Sequence, residues 1–179
     1  MTDSTDTSLR QLVIADPDAM HDFGVRLGAQ LRAGDLVILT GPLGAGKTTL
    51  TRGIGEGMGV RGPVTSPTFV LARTHPSLVG GPPLVHVDAY RLADASEADD
   101  LDLDFERSVV VAEWGAGLIS ESGSWLELVI ERPLGADPAA ACTADVELDD
   151  AAGDEELVEA RTITLHGHGR RWSEAELFS

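Results

Sequence analysis

Residues 40–50 read TGPLGAGKTTL, and they contain Lys47, the single lysine among 13 basic residues. A chain that otherwise uses arginine places its one ammonium at the end of a glycine-rich turn. Residues 41–48 fit the pattern G-x-x-x-x-G-K-[ST], with Gly41, Gly44, Gly46, Lys47 and Thr48 at the informative positions. Glycine lets successive backbone N–H groups converge on a phosphate without a Cβ in the way. A helix starting at Lys47 would aim its positive N-terminal end at the same anion. Lysine is a compact charge on a flexible stem and suits the space between β- and γ-phosphates, where the broad fork of arginine does not. Thr48 is positioned to place its hydroxyl on Mg²⁺. Ala45 and Thr49 complete the stretch expected to wrap the nucleotide.

The flanking sequence supplies the strand and helix this turn requires. DLVILTG before it is an apolar run without alternation, as in a strand covered on both faces. A helix is expected from about Lys47 to Gly57. Upstream, RQLVIA reads as a short strand. DPDAMHDFGVRLGAQLRAG reads as a helix capped by Asp16, with Pro17 in its first turn and Gly34 at its C-terminal end. Met20, Phe23, Leu27 and Leu31 recur at helical spacing and are candidate core residues. Downstream, TFVLART, LVHVDAY, SVVVAEW, WLELVIER and RTITLHG are strand candidates. The alternation of strands and helices predicts an α/β fold with a mostly parallel central sheet flanked by helices. At 179 residues the chain is read as one domain.

Magnesium bound with a nucleotide needs a carboxylate, usually at a neighbouring strand end. Two strands provide one: SVVVAE ends in Glu113, and PLVHVD leads to Asp88. In open α/β sheets ligands sit beyond the carboxyl ends of the strands, so both acids could face the nucleotide. The plainer alternatives are an ordinary strand-end acid for Glu113 and a solvated face of His86, Asp88 and Tyr90 for Asp88. Arg91 could meet a phosphate or form a surface ion pair. In VTSPTFVL, Ser66-Pro67-Thr68 makes a rigid turn with two hydroxyls. It is either a loop-to-strand corner or a switch that senses the γ-phosphate, with Thr68 as sensor.

Composition narrows the classes. Formal net charge is −17, so most of the surface should repel nucleic acid. Half of the 30 acidic residues fall in Asp94–Glu106 and Asp145–Glu159. Such runs are usually solvated faces; the sharper reading is a docking surface for a basic partner. The first is expected to be helical around SEADDLDLDF. The second lies in an acidic segment at about 135–160, expected to be a partly mobile loop or extended hairpin. No run approaches the ~18 apolar residues of a membrane span, and the polar N-terminus lacks the pattern of a secretory signal. One cysteine, Cys142, excludes an internal disulfide. The expected location is the cytoplasm.

GPLGAGKTT, SPTFVL, HVDAYRL and EWG, in this order and spacing, resemble the TsaE family, small bacterial ATPases of tRNA threonylcarbamoyladenosine synthesis. The resemblance covers residues of about 10 to 132. It implies a P-loop fold, ATP as substrate, and Mg²⁺. It implies Lys47 on the phosphates, Thr48 and Glu113 around the metal, and Asp88 near the metal or the attacking water. Thr68 falls in the family's switch-like segment, and Trp114 falls where the family has a tryptophan beside the nucleotide. The implied partners are the TsaB–TsaD pair, which modifies adenosine 37 of tRNA. The acidic surface adds that tRNA is met only indirectly, through those partners. Two rival classes remain. A small-molecule P-loop kinase would close an arginine-bearing lid over the phosphates, and Arg73, Arg91 and Arg107 are isolated. A non-catalytic nucleotide-binding scaffold would show no turnover.

Overall fold

The computed structural model describes residues 7–67, 71–89, 104–114, 124–132 and 159–173. In chain order the elements are β1 (Thr7–Ile14), α1 (Pro17–Gly28), β2 (Leu36–Thr40), α2 (Lys47–Met58), β3 (Ala72–His75), β4 (Leu84–Asp88), β5 (Val109–Glu113), β6 (Trp125–Glu131), β7 (Arg161–His168) and α3 (Arg170–Ser173). They form a seven-stranded sheet in the order β1-β7-β6-β2-β5-β4-β3. The central strands β6, β2, β5 and β4 are mutually parallel, whereas β7 and β3 run against them. β1 pairs antiparallel with β7 and so regains the direction of the centre. This is the expected α/β architecture. Thr68, Tyr90, Arg91, the helix expected around SEADDLDLDF and almost all of the acidic segment at about 135–160 lie outside the described residues.

The glycine turn emerges from the middle of the sheet, at the end of β2, whose residues 36–39 are all buried. Val37 and Leu39 point into one apolar core with Leu50, Ile54, Phe23 and Leu27. Leu36 and Ile38 point into a second core with Val85, Val87, Val110 and Ala112. Both long helices pack against the first face. α1 begins where Asp16 accepts a hydrogen bond from Ala19 N at 2.7 Å, the side-chain cap that Asp at this position predicts.

α1 ends at Gly28, short of the expected stop near Gly34. Its hydrogen bonds tighten to the i−3 pattern there, from Gln30 N to Leu27 O and from Leu31 N to Gly28 O. Gly34, at φ +92°, then turns the chain into β2. Leu31 is nevertheless buried, as its spacing predicts.

α1 and α2 touch backbone to backbone. A Cβ added to Gly24, Gly28, Gly53 or Gly57 would run into the carbonyl oxygens of Leu50, Ile54, His21 or Val25 respectively. Glycine at these four positions sets the distance between the helices and therefore where the N-terminus of α2 sits. At the other end of the sheet, Asp35 is buried and accepts from Arg171 Nε at 3.2 Å and from Arg32 N at 2.8 Å. Trp172 is fully buried in the first core. The arginines that follow β7 thus include a packed anchor: Arg171 is paired with Asp35 and stacks over Trp172 at 4.4 Å.

Candidate functional site: the glycine turn and its two flanks

Gly44 and Gly46 take φ of +75° and +104°, a region side chains avoid. This curls residues 41–46 so that α2 starts at Lys47, with Gly46 as its N-cap and no side chain capping it. The first N–H groups of a helix have no intrahelical partners, so the turn presents a donor-lined concavity suited to an anion. Lys47 is buried, and its Nζ donates to Gly41 O at 2.8 Å and Pro42 O at 3.1 Å. The ammonium thus lies inside the concavity. Thr48 and Thr49 follow it, half-buried, in the first turn of α2. Ala45 is buried beneath the turn and donates to Pro42 O at 3.1 Å.

One flank is made by β4 and β5. Their parallel register sets Asp88 beside Glu113 and His86 beside Val111. Strand side chains alternate between faces, and Leu84, Val109 and Val111 belong to the core under α1 and α2. His86, Asp88 and Glu113 therefore share that face, at the strand ends nearest the glycine turn. His86 has no solvent exposure, and its Nε2 lies 3.1 Å from Glu113 Oε1. His86 is thus not on a solvated face, because the helices pack on this side of the sheet, whereas Asp88, at the strand end, is half-buried. Next to Glu113, Trp114 adopts φ +60° and donates its N–H to Leu39 O at 3.1 Å. Such a conformation costs about 1–3 kcal/mol in a non-glycine residue. Here it turns the indole over Lys47, with Nζ 5.1 Å from the ring centroid, within cation–π range.

The other flank is made by β6 and β7. A cleft of about 490 Å³ opens beside Gly44, Ala45, Gly46 and Thr49, floored by Pro17 and Met20 and rimmed by Arg132 and Arg161. Its size is that of a small-molecule site. The Arg132 guanidinium stands over Gly44, 3.7 Å from where a Cβ would be. Glu159 holds both arginines, with Arg161 Nη1 at 3.4 Å and Arg132 Nε at 3.9 Å from its carboxylate. Sequence reasoning missed these residues. Arg132 follows the apolar strand β6 just as Trp114 follows β5, so the signal existed. What was lacking was the strand order, which puts β6 directly beside β2.

The donor set suits Mg²⁺ brought by a nucleotide. Among the described residues no three His, Cys, Asp or Glu side chains gather as a metal cage, and Mg²⁺ usually takes one or two carboxylates plus phosphate and water oxygens. Glu113 and Asp88 stand paired at the ends of β5 and β4, Thr48 lies in the first turn of α2, and all three carry hard oxygen donors.

Residues 14–133 match the family model described as threonylcarbamoyl adenosine biosynthesis protein TsaE. The chain belongs to the TsaE family. A relative from Streptomyces coelicolor, named tRNA threonylcarbamoyladenosine biosynthesis protein TsaE, is 53% identical over 162 residues, covering 88% of this chain and 97% of the relative. One of the same name from Mycobacterium bovis is 56% identical over 119 residues, covering 61% of this chain and 71% of its own length. Among solved structures, YdiB of Bacillus subtilis superposes with a TM-score of 0.61 at 26% identity, over 93% of this chain and 90% of that one. The TsaE-family resemblance and the P-loop fold read from the motifs both hold. Among the described residues no helix is long and apolar enough to cross a membrane.

Proposed function

We propose that this chain is the ATPase of tRNA N6-threonylcarbamoyladenosine formation, working on the TsaB–TsaD complex in the cytoplasm. The observation that supports the ATPase reading is the Trp114 indole over Lys47 of the glycine turn, with Glu113 next to it in sequence and Asp88 paired with Glu113 in register. The pathway is supported by the names of the relatives. The turn and Lys47 would hold the phosphates, and the cleft beside Arg132 and Arg161 would take the adenosine end. Thr48 and Glu113 would hold Mg²⁺, which when bound would neutralise charge building up on the phosphates. Asp88 would meet the metal or orient the attacking water, and Thr68 would sense the γ-phosphate. With net charge −17 the chain is a poor partner for RNA. The tRNA would be held by TsaB–TsaD, which ATP binding and hydrolysis would reset. Hydrolysis is expected to be slow alone and faster with the partners.

The test measures ATP hydrolysis and modified-tRNA yield per TsaD, with and without this chain, at two salt concentrations. The expected result is stimulation that weakens with salt, and repeated rounds of modification that Lys47→Ala stops. Equal cycling without the chain would remove it from the pathway.

A further inference from the structure

His86 sits in the middle of LVHVD, a strand that is otherwise apolar up to its last residue, and it has no solvent exposure. Packing alone does not call for an imidazole there. Phenylalanine or leucine would fill the same core position without a buried polar atom. Yet Nδ1 of His86 is buried and has no hydrogen-bond partner among the described residues, an arrangement that costs stability. What the ring gains lies on its other side, where Nε2 is 3.1 Å from Glu113 Oε1. A carboxylate oxygen accepts, so Nε2 carries the hydrogen. A ring protonated only at Nε2 also leaves no unpaired N–H at Nδ1.

The Glu113 side chain is 12% exposed, and among the described residues His86 is its hydrogen-bond partner. A glutamate at a strand end has three side-chain torsions to fix before its carboxylate occupies one place. The register of β4 on β5 supplies the constraint. His86 lies one pleat repeat below Asp88, which pairs with Glu113, so the imidazole meets the carboxylate from beneath. One oxygen is held; among the described residues the other, Oε2, has no such bond and can meet an incoming donor or cation. Partners of this kind orient a metal-binding group and fix its charge distribution.

We infer that His86 is a positioning residue for Glu113: its buried Nε2–H fixes Glu113 Oε1, so that the carboxylate is preset for Mg²⁺ carried by a nucleotide. This rests on the ATP–Mg²⁺ reading above. It assigns the imidazole a role in metal response and none in holding the phosphates.

The test compares the full chain with His86→Phe, which keeps a ring but no donor, and His86→Gln, whose amide nitrogen can stand near Nε2. ADP affinity is measured by calorimetry with Mg²⁺ and with the metal chelated, and thermal unfolding monitors the fold. His86→Phe should weaken the Mg²⁺ concentration dependence of ADP binding by about tenfold to a hundredfold. Affinity without metal should stay at the wild-type value, and His86→Gln should recover most of the loss. Unchanged Mg²⁺ dependence in His86→Phe overturns the inference. So does an equal loss without metal, or a glutamine variant no better than phenylalanine. A wild type whose ADP affinity ignores Mg²⁺ sinks the ATP–Mg²⁺ reading and this inference together. A Mg²⁺-sensitive wild type with an equally sensitive His86→Phe sinks this inference alone. Should His86→Phe fail to fold, imidazole nitrogen NMR of the wild type decides. Its ring should carry the proton on Nε2, with a signal that moves in Glu113→Ala; a proton on Nδ1 overturns the inference.

Discussion

On the β4/β5 flank of the glycine turn, a buried imidazole holds one of two paired strand-end acids, and the next residue, Trp114, in a strained backbone conformation, lays its indole over Lys47. On the β6/β7 flank, two arginines and a glutamate line an open cleft, with the Arg132 and Glu159 side chains about half exposed. The first flank is partly desolvated, so small displacements there should be felt in chemistry. The second is hydrated, and its ion pairs are individually weak, so changes there should be felt in affinity. The glycine turn belongs to both, and a substitution in it should remove the distinction.

Lys47→Ala is expected to have the largest effect. It removes a charged donor from the centre of the turn, and charged hydrogen bonds contribute about 1.5–3 kcal/mol each. Losing two such bonds to phosphate weakens ATP binding by about a hundredfold or more. Lys47→Arg should be nearly as damaging, because the planar fork does not fit where the ammonium now meets Gly41 O and Pro42 O. Calorimetric titration with ATP gives the answer, and wild-type affinity in the arginine variant would refute the geometric argument.

A paired comparison sharpens the contrast between flanks. Glu113→Ala should cut turnover by about a hundredfold while changing nucleotide affinity far less, the pattern of an interaction made mainly in the transition state. Asp88→Ala should follow it. Arg132→Ala should do the opposite, weakening affinity about tenfold with turnover of the bound nucleotide nearly intact. Steady-state and single-turnover hydrolysis separate the two, and the same split on both flanks would erase the distinction.

How much of this could be read beforehand differs by flank, for a physical reason. The glycine turn, Glu113 and Asp88 are encoded locally: a strand, then the residue that must follow it. TGPLGAGKTTL also carries its helix start, and α2 begins at Lys47 as expected. Arg132 and Arg161 acquire meaning only when β6 pairs with β2 and β7 with β6. That pairing joins segments far apart in sequence and leaves no local mark. His86 shows a subtler limit. Alternation along LVHVD gave its face correctly but not what covers that face, which depends on how closely four glycines let α1 and α2 approach.

A smaller effect is expected at Trp114. A variant with Trp125 and Trp172 replaced by phenylalanine should change its fluorescence on adding ATP–Mg²⁺, because Lys47 Nζ now lies under the indole and a phosphate would draw it away. Trp172 is in the core, so the replacement has to be checked by thermal unfolding first. An unchanged spectrum at saturating nucleotide would detach Trp114 from the site.

The smallest effect lies outside both flanks. His75 is buried and its Nδ1 donates to Arg61 O at 3.3 Å. Burial pushes its pKa below the ordinary value of 6.5, with Arg73 pushing the same way against the hydrogen bond to Arg61. A folded-state value below the unfolded one means stability that is fully present above pH 6.5 and lost as pH falls through the lowered value. His75→Gln should remove that part of the pH dependence. Denaturant unfolding of both chains on either side of this window measures the difference, and parallel stability curves would exclude His75 as its source.

The most direct measurement is a crystal structure of the chain with a non-hydrolysable ATP analogue and Mg²⁺. The β- and γ-phosphates are expected in the turn formed by Gly44–Thr48, with the metal between Thr48 and Glu113 and His86 still bonded to Glu113 Oε1. The adenosine would lie in the cleft beside Arg132 and Arg161. A nucleotide lying the other way round, with its base against Asp88 and Trp114 and its metal beside Glu159, would contradict it.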